Sequence, residues 1–136
     1  MAIPRPEMDA ALKATFVPKL RSFGFKGSYP HFRRERAQHV ELVGIQFSQW
    51  GAQFYVEAGV AENNDQVIAG GTSVSAHRLK YYHGWPRRRF GDLPFDYEAE
   101  AISVVAARAA EVVEELVSWA SSTAPQRPGD VRTVGG

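Results

Sequence analysis

Residues 39–60, HVELVGIQFSQWGAQFYVEAGV, restrict the fold more than any other stretch of the chain. Val43, Ile45 and Phe47 alternate along its first half, and Phe54, Val56, Ala58 and Val60 along its second. Apolar spacing of two, in β-branched and aromatic residues, marks a half-buried antiparallel hairpin. The pattern predicts two strands closed by a tight turn at Trp50-Gly51. One face of such a hairpin must be covered by other elements. Gly44 and Gly59 interrupt the strands, which permits a bulge or the close approach of something lying on the sheet.

Amphipathic segments flank the hairpin. After an irregular arm over Met1–Pro6, Met8, Leu12, Phe16, Leu20 and Phe23 recur at steps of four and three, one stripe of a helix. Pro6-Glu7 suits its first turn, Pro18 predicts a kink against the carbonyl of Ala14, and Gly24 is placed for a left-handed stop. Tyr97–Ser121 contains no Pro or Gly. Asp96 is placed to cap a long helix there, with Glu98 and Glu100 against its positive end. Ile102, Ala106, Ala109, Val113, Leu116 and Ala120 form its apolar stripe, and Arg108, Glu111, Glu115 and Ser118 its wet face.

The connecting stretches are more polar. Pro30–Arg36 reads as a strand with Phe32, Arg34 and Arg36 on one face and His31, Arg33 and Glu35 on the other; its charges suit an outer position. Ala61–Ser75 has turn chemistry at 63–65 and 70–73 and reads as an irregular loop. Ala76–Tyr82 reads as a fourth strand with Leu79 and Tyr81 inward. Gly84, Pro86, Gly91 and Pro94 argue against a long element after it, leaving a short strand or turn near Arg89–Phe90. Ser122–Gly136, without periodicity, is expected to be a disordered tail. The fold expected is α+β: one domain over 1–123 with a tail over 124–136. Its antiparallel sheet of four to five strands carries the N-terminal helix and the long C-terminal helix on one face.

Several residues fit a family pattern. A helix ending in PKLRSFGFKG, a strand YPHFRRE and then VELVGIQFSQWGAQFYVEAGV carry it, at Leu20, Gly24-Phe25, Phe32-Arg33, Gln46 and Phe54–Gly59. Over roughly residues 8–100 the chain resembles the domain of unknown function 4304 family, small bacterial domains. Where that family often has a Trp pair before the last helix, this chain has Phe95-Asp96-Tyr97. The resemblance implies an α+β domain and carries over no catalytic residue.

Composition narrows the chemistry. The chain has no cysteine, which excludes disulfides, thiol catalysis and cysteine-ligated metals. A net charge of +1 gives no global attraction to nucleic acid or acidic lipid. The N-terminus lacks a secretory pattern and no stretch has the length of a membrane span; a cytoplasmic protein without cofactor is expected. His31, His39, His77 and His83 form no helical pair and have no carboxylate spaced to complete a metal site, so they read as structural or surface groups. Thr72, Ser73 and Ser75 lie outside any nucleophile motif, and Gly70-Gly71-Thr72 lacks the lysine and helix of a phosphate-binding loop.

The richest surface signal is AHRLKYYHGWPRRRF, residues 76–90. Arg78, Lys80, Arg87, Arg88 and Arg89 interleave with Tyr82, His83 and Trp85, and Arg33 could extend the basic patch if the strands lie side by side. The plain reading is a solvated surface with its arginines paired to carboxylates. The functional readings are a non-catalytic module that binds a protein partner, one form being a cap of the kind immunity proteins make, and a binder of nucleic acid or a phosphorylated ligand. Gln46, in the central strand, is a further candidate on a sheet face with Ser48, Tyr55 and Glu57. That face is expected to be open to water, a partner or a second copy of the chain, giving a monomer or a homodimer.

Overall fold

The computed structural model describes residues 5–126. The elements run α1 (Arg5–Ser22), β1 (His31–Glu35), β2 (His39–Phe47), β3 (Gln53–Glu62), β4 (Gln66–Val67), β5 (Ser73–Val74), β6 (Arg87–Asp96), α2 (Ile102–Glu111) and α3 (Val113–Ser121). One antiparallel sheet has the order β1-β2-β3-β6, and the helices lie on one of its faces. The expected α+β architecture is therefore present.

The hairpin pattern sets the core. Val43 pairs with Ala58, Ile45 with Val56 and Phe47 with Phe54. Of these, Val43, Ile45, Phe54, Val56 and Ala58 are buried against Met8, Leu12, Phe16 and Leu20 of α1 and Val105, Ala109 and Leu116 of α2 and α3. Each large apolar side chain so buried contributes about 1.5–3 kcal/mol. Phe54 stacks on Phe95 with centroids 5.1 Å apart. The connection at the hairpin tip, residues 48–52, is wider than the tight turn expected at Trp50-Gly51.

Helix α1 already includes Arg5 and Pro6 and runs through Pro18. Phe23, expected on its buried stripe, lies past its end and is 36% exposed. Gly24 takes φ +93°, its N–H donates to the Arg21 carbonyl and the Phe25 N–H to that of Leu20. This left-handed stop turns Phe25 into the core. The C-terminal helix begins later than its sequence pattern predicts. Asp96 Oδ1 instead accepts from the N–H groups of Glu98 (2.9 Å) and Ala99 (3.0 Å), capping a separate turn before α2. Those bonds, Ala99's first, hold its carboxyl below the usual range. Helices α2 and α3 meet at Val112 (φ −77°, ψ −9°) and bury one continuous stripe.

Three connecting stretches differ from expectation. Residues 61–75 are not an irregular loop: β3 extends to Glu62, and β4 pairs with β5 in a small hairpin turned by Gly70 (φ +86°) and Gly71 (φ +80°). Residues 76–83 form two short 3-10 turns instead of a strand, although Leu79 and Tyr81 do face inward. Residues 87–96, in contrast, form a long strand. Gly91 (φ +86°) and Pro94 fall in the irregular stretch of β6 between the Val56–Phe90 and Phe54–Phe95 pairs. Because β6 is an edge strand, a residue without an N–H is tolerated there. Residues 1–4 of the expected N-terminal arm and the tail from 127 on lie outside the described residues. Within the described part of the tail, the Gln126 N–H donates to the Trp85 carbonyl at 2.7 Å.

Candidate functional site

Much of the sheet face away from the helices is covered, where the sequence leads one to expect an open face. Residues 76–86 lie across it, and the two hairpin glycines make room for them. A Cβ at Gly44 would overlap the Tyr81 ring, and one at Gly59 would stand 2.5 Å from the Tyr81 carbonyl oxygen. Gly84 is equally tight, its missing Cβ 2.8 Å from the Val60 nitrogen. Leu79 and Tyr81 then bury with Val40, Leu42 and Ala61 in a second small core. The Trp85 N–H donates to the Val60 carbonyl (2.8 Å) and the Val60 N–H to that of Pro86 (3.2 Å). The segment is thus bonded to the sheet at Trp85 and Pro86 and packed on it through Leu79 and Tyr81.

Its side chains sort by face. Tyr82 and Trp85 are 50% and 41% exposed. Arg78 and Arg87 are also exposed, and Arg87 donates to the Tyr82 carbonyl at 3.2 Å. Lys80 is half-buried, and its N–H donates to Nδ1 of His83 at 2.9 Å. Burial, then the Lys80 charge, lowers the His83 pKa. Tyr81 stacks on His31, centroids 6.0 Å apart; burial, then Glu57, raises its hydroxyl pKa.

The arginines do not act together. Arg89 pairs with the buried Glu57 (3.0 Å) and covers the Tyr55 ring (3.9 Å). Its neighbour Arg88 turns to the helix face, where it pairs with Glu115 (2.9 Å) and lies 4.7 Å from the Phe90 ring centre. Arg33 donates from Nη1 to the Ala76 carbonyl, and its Nη2 lies 3.4 Å from Glu35. Gln46 is exposed and pairs in register with Tyr55. The structure therefore gathers Arg78, Lys80, Tyr82, His83, Trp85 and Arg87 on one segment. It assigns Arg33 and Arg89 to fixed bonds and takes Arg88 away.

Three features escape the sequence-based choice of site residues. Glu41 is fully buried on the helix side, 2.5 Å from Arg34 Nε and 3.3 Å from Arg36 Nε; both arginines also donate to the Ser121 hydroxyl. Its place on the stripe of Val43, Ile45 and Phe47 is the signal that could have found it. Trp50, at the hairpin tip, is 92% exposed. His31 Nδ1 and Arg33 Nε are buried without hydrogen-bond partners among the described residues, and both residues border one small pocket.

What this face offers chemically is recognition: aromatic surface and positive charge on a fixed backbone. Thr72 and Ser73 sit exposed on the β4–β5 hairpin. Among the described residues, no three His, Asp or Glu side chains gather as a metal ion requires, and no helix is long and apolar enough to cross a membrane. No curated protein and no solved structure matches the chain significantly. One family model does, over residues 16–119, so it takes in the C-terminal helices as well as the sheet. The chain belongs to the family described as domain of unknown function DUF4304.

Proposed function

We propose that this chain is a non-catalytic binding module whose partner is a protein with an acidic contact surface, engaged by residues 78–87. The observation that carries the reading is the exposure of Tyr82 and Trp85 on a backbone bonded to the sheet. Interface hot spots are enriched in Tyr, Trp and Arg, and a segment ordered beforehand loses less entropy on binding. Arg78, Lys80 and Arg87 supply the charge that favours an acidic partner. A cap on a partner, in the manner of immunity proteins, is one form this takes. The pairing of Arg89 with Glu57 and of Arg88 with Glu115 speaks against a nucleic-acid groove, because both guanidiniums are already engaged.

The test is cross-linking in native lysate with the wild-type chain, the Tyr82→Ala/Trp85→Ala variant and Arg88→Ala. One protein species retained by wild type and Arg88→Ala, and lost from the double variant, is the expected result. Equal retention by all three overturns the assignment. Capture of nucleic acid instead, with affinity falling steeply with log salt, replaces it with the polymer-binding reading.

A further inference from the structure

The two edges of the sheet differ. On β1 the outward N–H and C=O of Arg33 both bond Lys26, at 2.8 Å each, and the His31 N–H donates to the Ser28 carbonyl. Residues 26–28 therefore close that edge. At the other edge, just ahead of β6, the Val60 N–H donates to the Pro86 carbonyl. Bonded pairs alternate with non-bonded ones along an antiparallel ladder, so in the same register Ala58–Arg88 and Val56–Phe90 are the bonded pairs. Arg87 and Arg89 then turn their N–H and C=O groups away from β3. Among the described residues, no turn, loop or side chain bonds those groups.

The side chains of this edge decide what can pair with it. Arg87 and Arg89, both exposed, lie two residues apart on the face away from the helices, while Arg88 lies on the helix face with Glu115. Arg87 bonds a carbonyl, that of Tyr82, and no carboxylate among the described residues. Arg89 reaches Glu57 through Nε, which leaves its Nη groups for a second acceptor. A second copy of the chain, pairing edge to edge, would set arginine against arginine, and like charges directly opposite are destabilising. A strand with carboxylates at alternate positions meets the same two arginines with attraction instead.

We infer that the β6 edge accepts an extended acidic segment of a partner protein as a fifth strand of the sheet, with Asp or Glu side chains two residues apart opposite Arg87 and Arg89. Backbone pairing supplies the affinity in such strand addition, and the alternate side chains select the sequence. The regular ladder ends at Phe90, where the register with β3 shifts, so the added strand is short. The inference goes beyond the ring surface proposed above and does not depend on it, since Tyr82 and Trp85 lie outside β6.

The test is a titration of the full chain with the peptide acetyl-Val-Glu-Val-Glu-Val-amide, followed by backbone amide NMR. Saturable shifts and slowed hydrogen exchange at the Arg87 and Arg89 N–H groups are expected, with a Kd on the order of 0.1–1 mM. Replacing both glutamates by glutamine, or Arg87 by glutamate in the chain (Arg87→Glu), is expected to weaken binding roughly tenfold. A peptide N-methylated at both glutamates is expected not to bind, because those are the N–H groups that face β6. Absence of saturable shifts, equal binding of the N-methylated or the glutamine peptide, or unchanged binding in Arg87→Glu overturns the assignment; the signals of buried Phe54 and Phe95 report whether the variant is folded. Slow exchange of the Arg87 and Arg89 N–H groups in the free chain overturns it as well. At every concentration, slow exchange means that the chain covers its own edge; at high concentration only, it means that a second copy does.

Discussion

Gly44 and Tyr81 fit together as a socket and a ring: the space a Cβ would take at residue 44 is filled by the tyrosine's Cδ2 and Cε2. The backbone conformation at Gly44 is one that any residue adopts, so the requirement for glycine there is purely steric. Gly44→Ala is expected to cost about 1–3 kcal/mol, the range for overfilling a packed site. In a Tyr81→Ala background the same substitution loses most of that cost. Urea denaturation of the four chains in this double-mutant cycle measures the coupling; equal costs in the two backgrounds contradict the fit.

The buried Glu41 predicts a larger effect. Its carboxylate sits between Arg34, whose side chain is 13% exposed, and Arg36, at 41%. Removing one member of a buried ionic set strands the rest, at roughly 3–5 kcal/mol. Glu41→Ala is therefore expected to lower stability by about that amount. Glu41→Leu combined with Arg34→Met is expected to cost less than Glu41→Ala alone, because no charge is left stranded by Arg34. Denaturation midpoints settle the ordering, and a double variant less stable than the single one contradicts it.

How far these features can be read from the sequence depends on what carries each. The alternation at Val43, Ile45 and Phe47 is local, and the predicted core followed from it. Gly44 and Gly59 advertise a close approach, yet nothing local says what approaches. Leu79 and Tyr81 face inward at a spacing of two, which a strand and a pair of 3-10 turns share. Strand β6 was hidden because Gly91 and Pro94, poor strand residues in general, fall in an irregular stretch of an edge strand. The pocket between β1 and residues 76–80 was out of reach for a different reason: His31 and His77 are far apart in sequence and come to one wall only in the folded chain.

Acid is expected to weaken the fold through its histidines. His31 and His83 both titrate below the ordinary 6.5, because burial, and then the Lys80 charge, disfavours the imidazolium. Charged neighbours of His31 on its pocket are Arg33 and Lys80, with His77 a further titratable group there and Glu35 across Arg33. The unfolded chain binds protons first as pH falls, so the stability these groups contribute is intact above about 6.5 and declines below it until the folded-state values are passed. His83 has a specific bond to lose, since Nδ1 must be unprotonated to accept from the Lys80 N–H. Denaturation at a series of pH values between 7 and 5 is expected to show falling stability, with a shallower fall in His31→Gln. An unchanged slope in that variant contradicts the assignment to His31.

Adjacent arginines on opposite faces of β6 are expected to respond unequally to the same substitution. Arg88 pairs with Glu115 at the surface, where both side chains are about half exposed. Such a pair contributes about 0–1 kcal/mol, so Arg88→Ala changes stability little. Arg89 is itself 43% exposed, but its partner Glu57 is only 8% exposed and has Tyr81 as a further neighbour. Arg89→Ala leaves that buried carboxylate without its guanidinium, a loss of about 1–3 kcal/mol. Arg89→Lys keeps a positive charge but not the planar fork that meets Glu57 and covers Tyr55, and is expected to fall between the two. Thermal melts at neutral pH rank the three variants. Arg88→Ala melting at or below Arg89→Ala means that the face assignment, and with it the division of the basic stretch into two surfaces, is wrong.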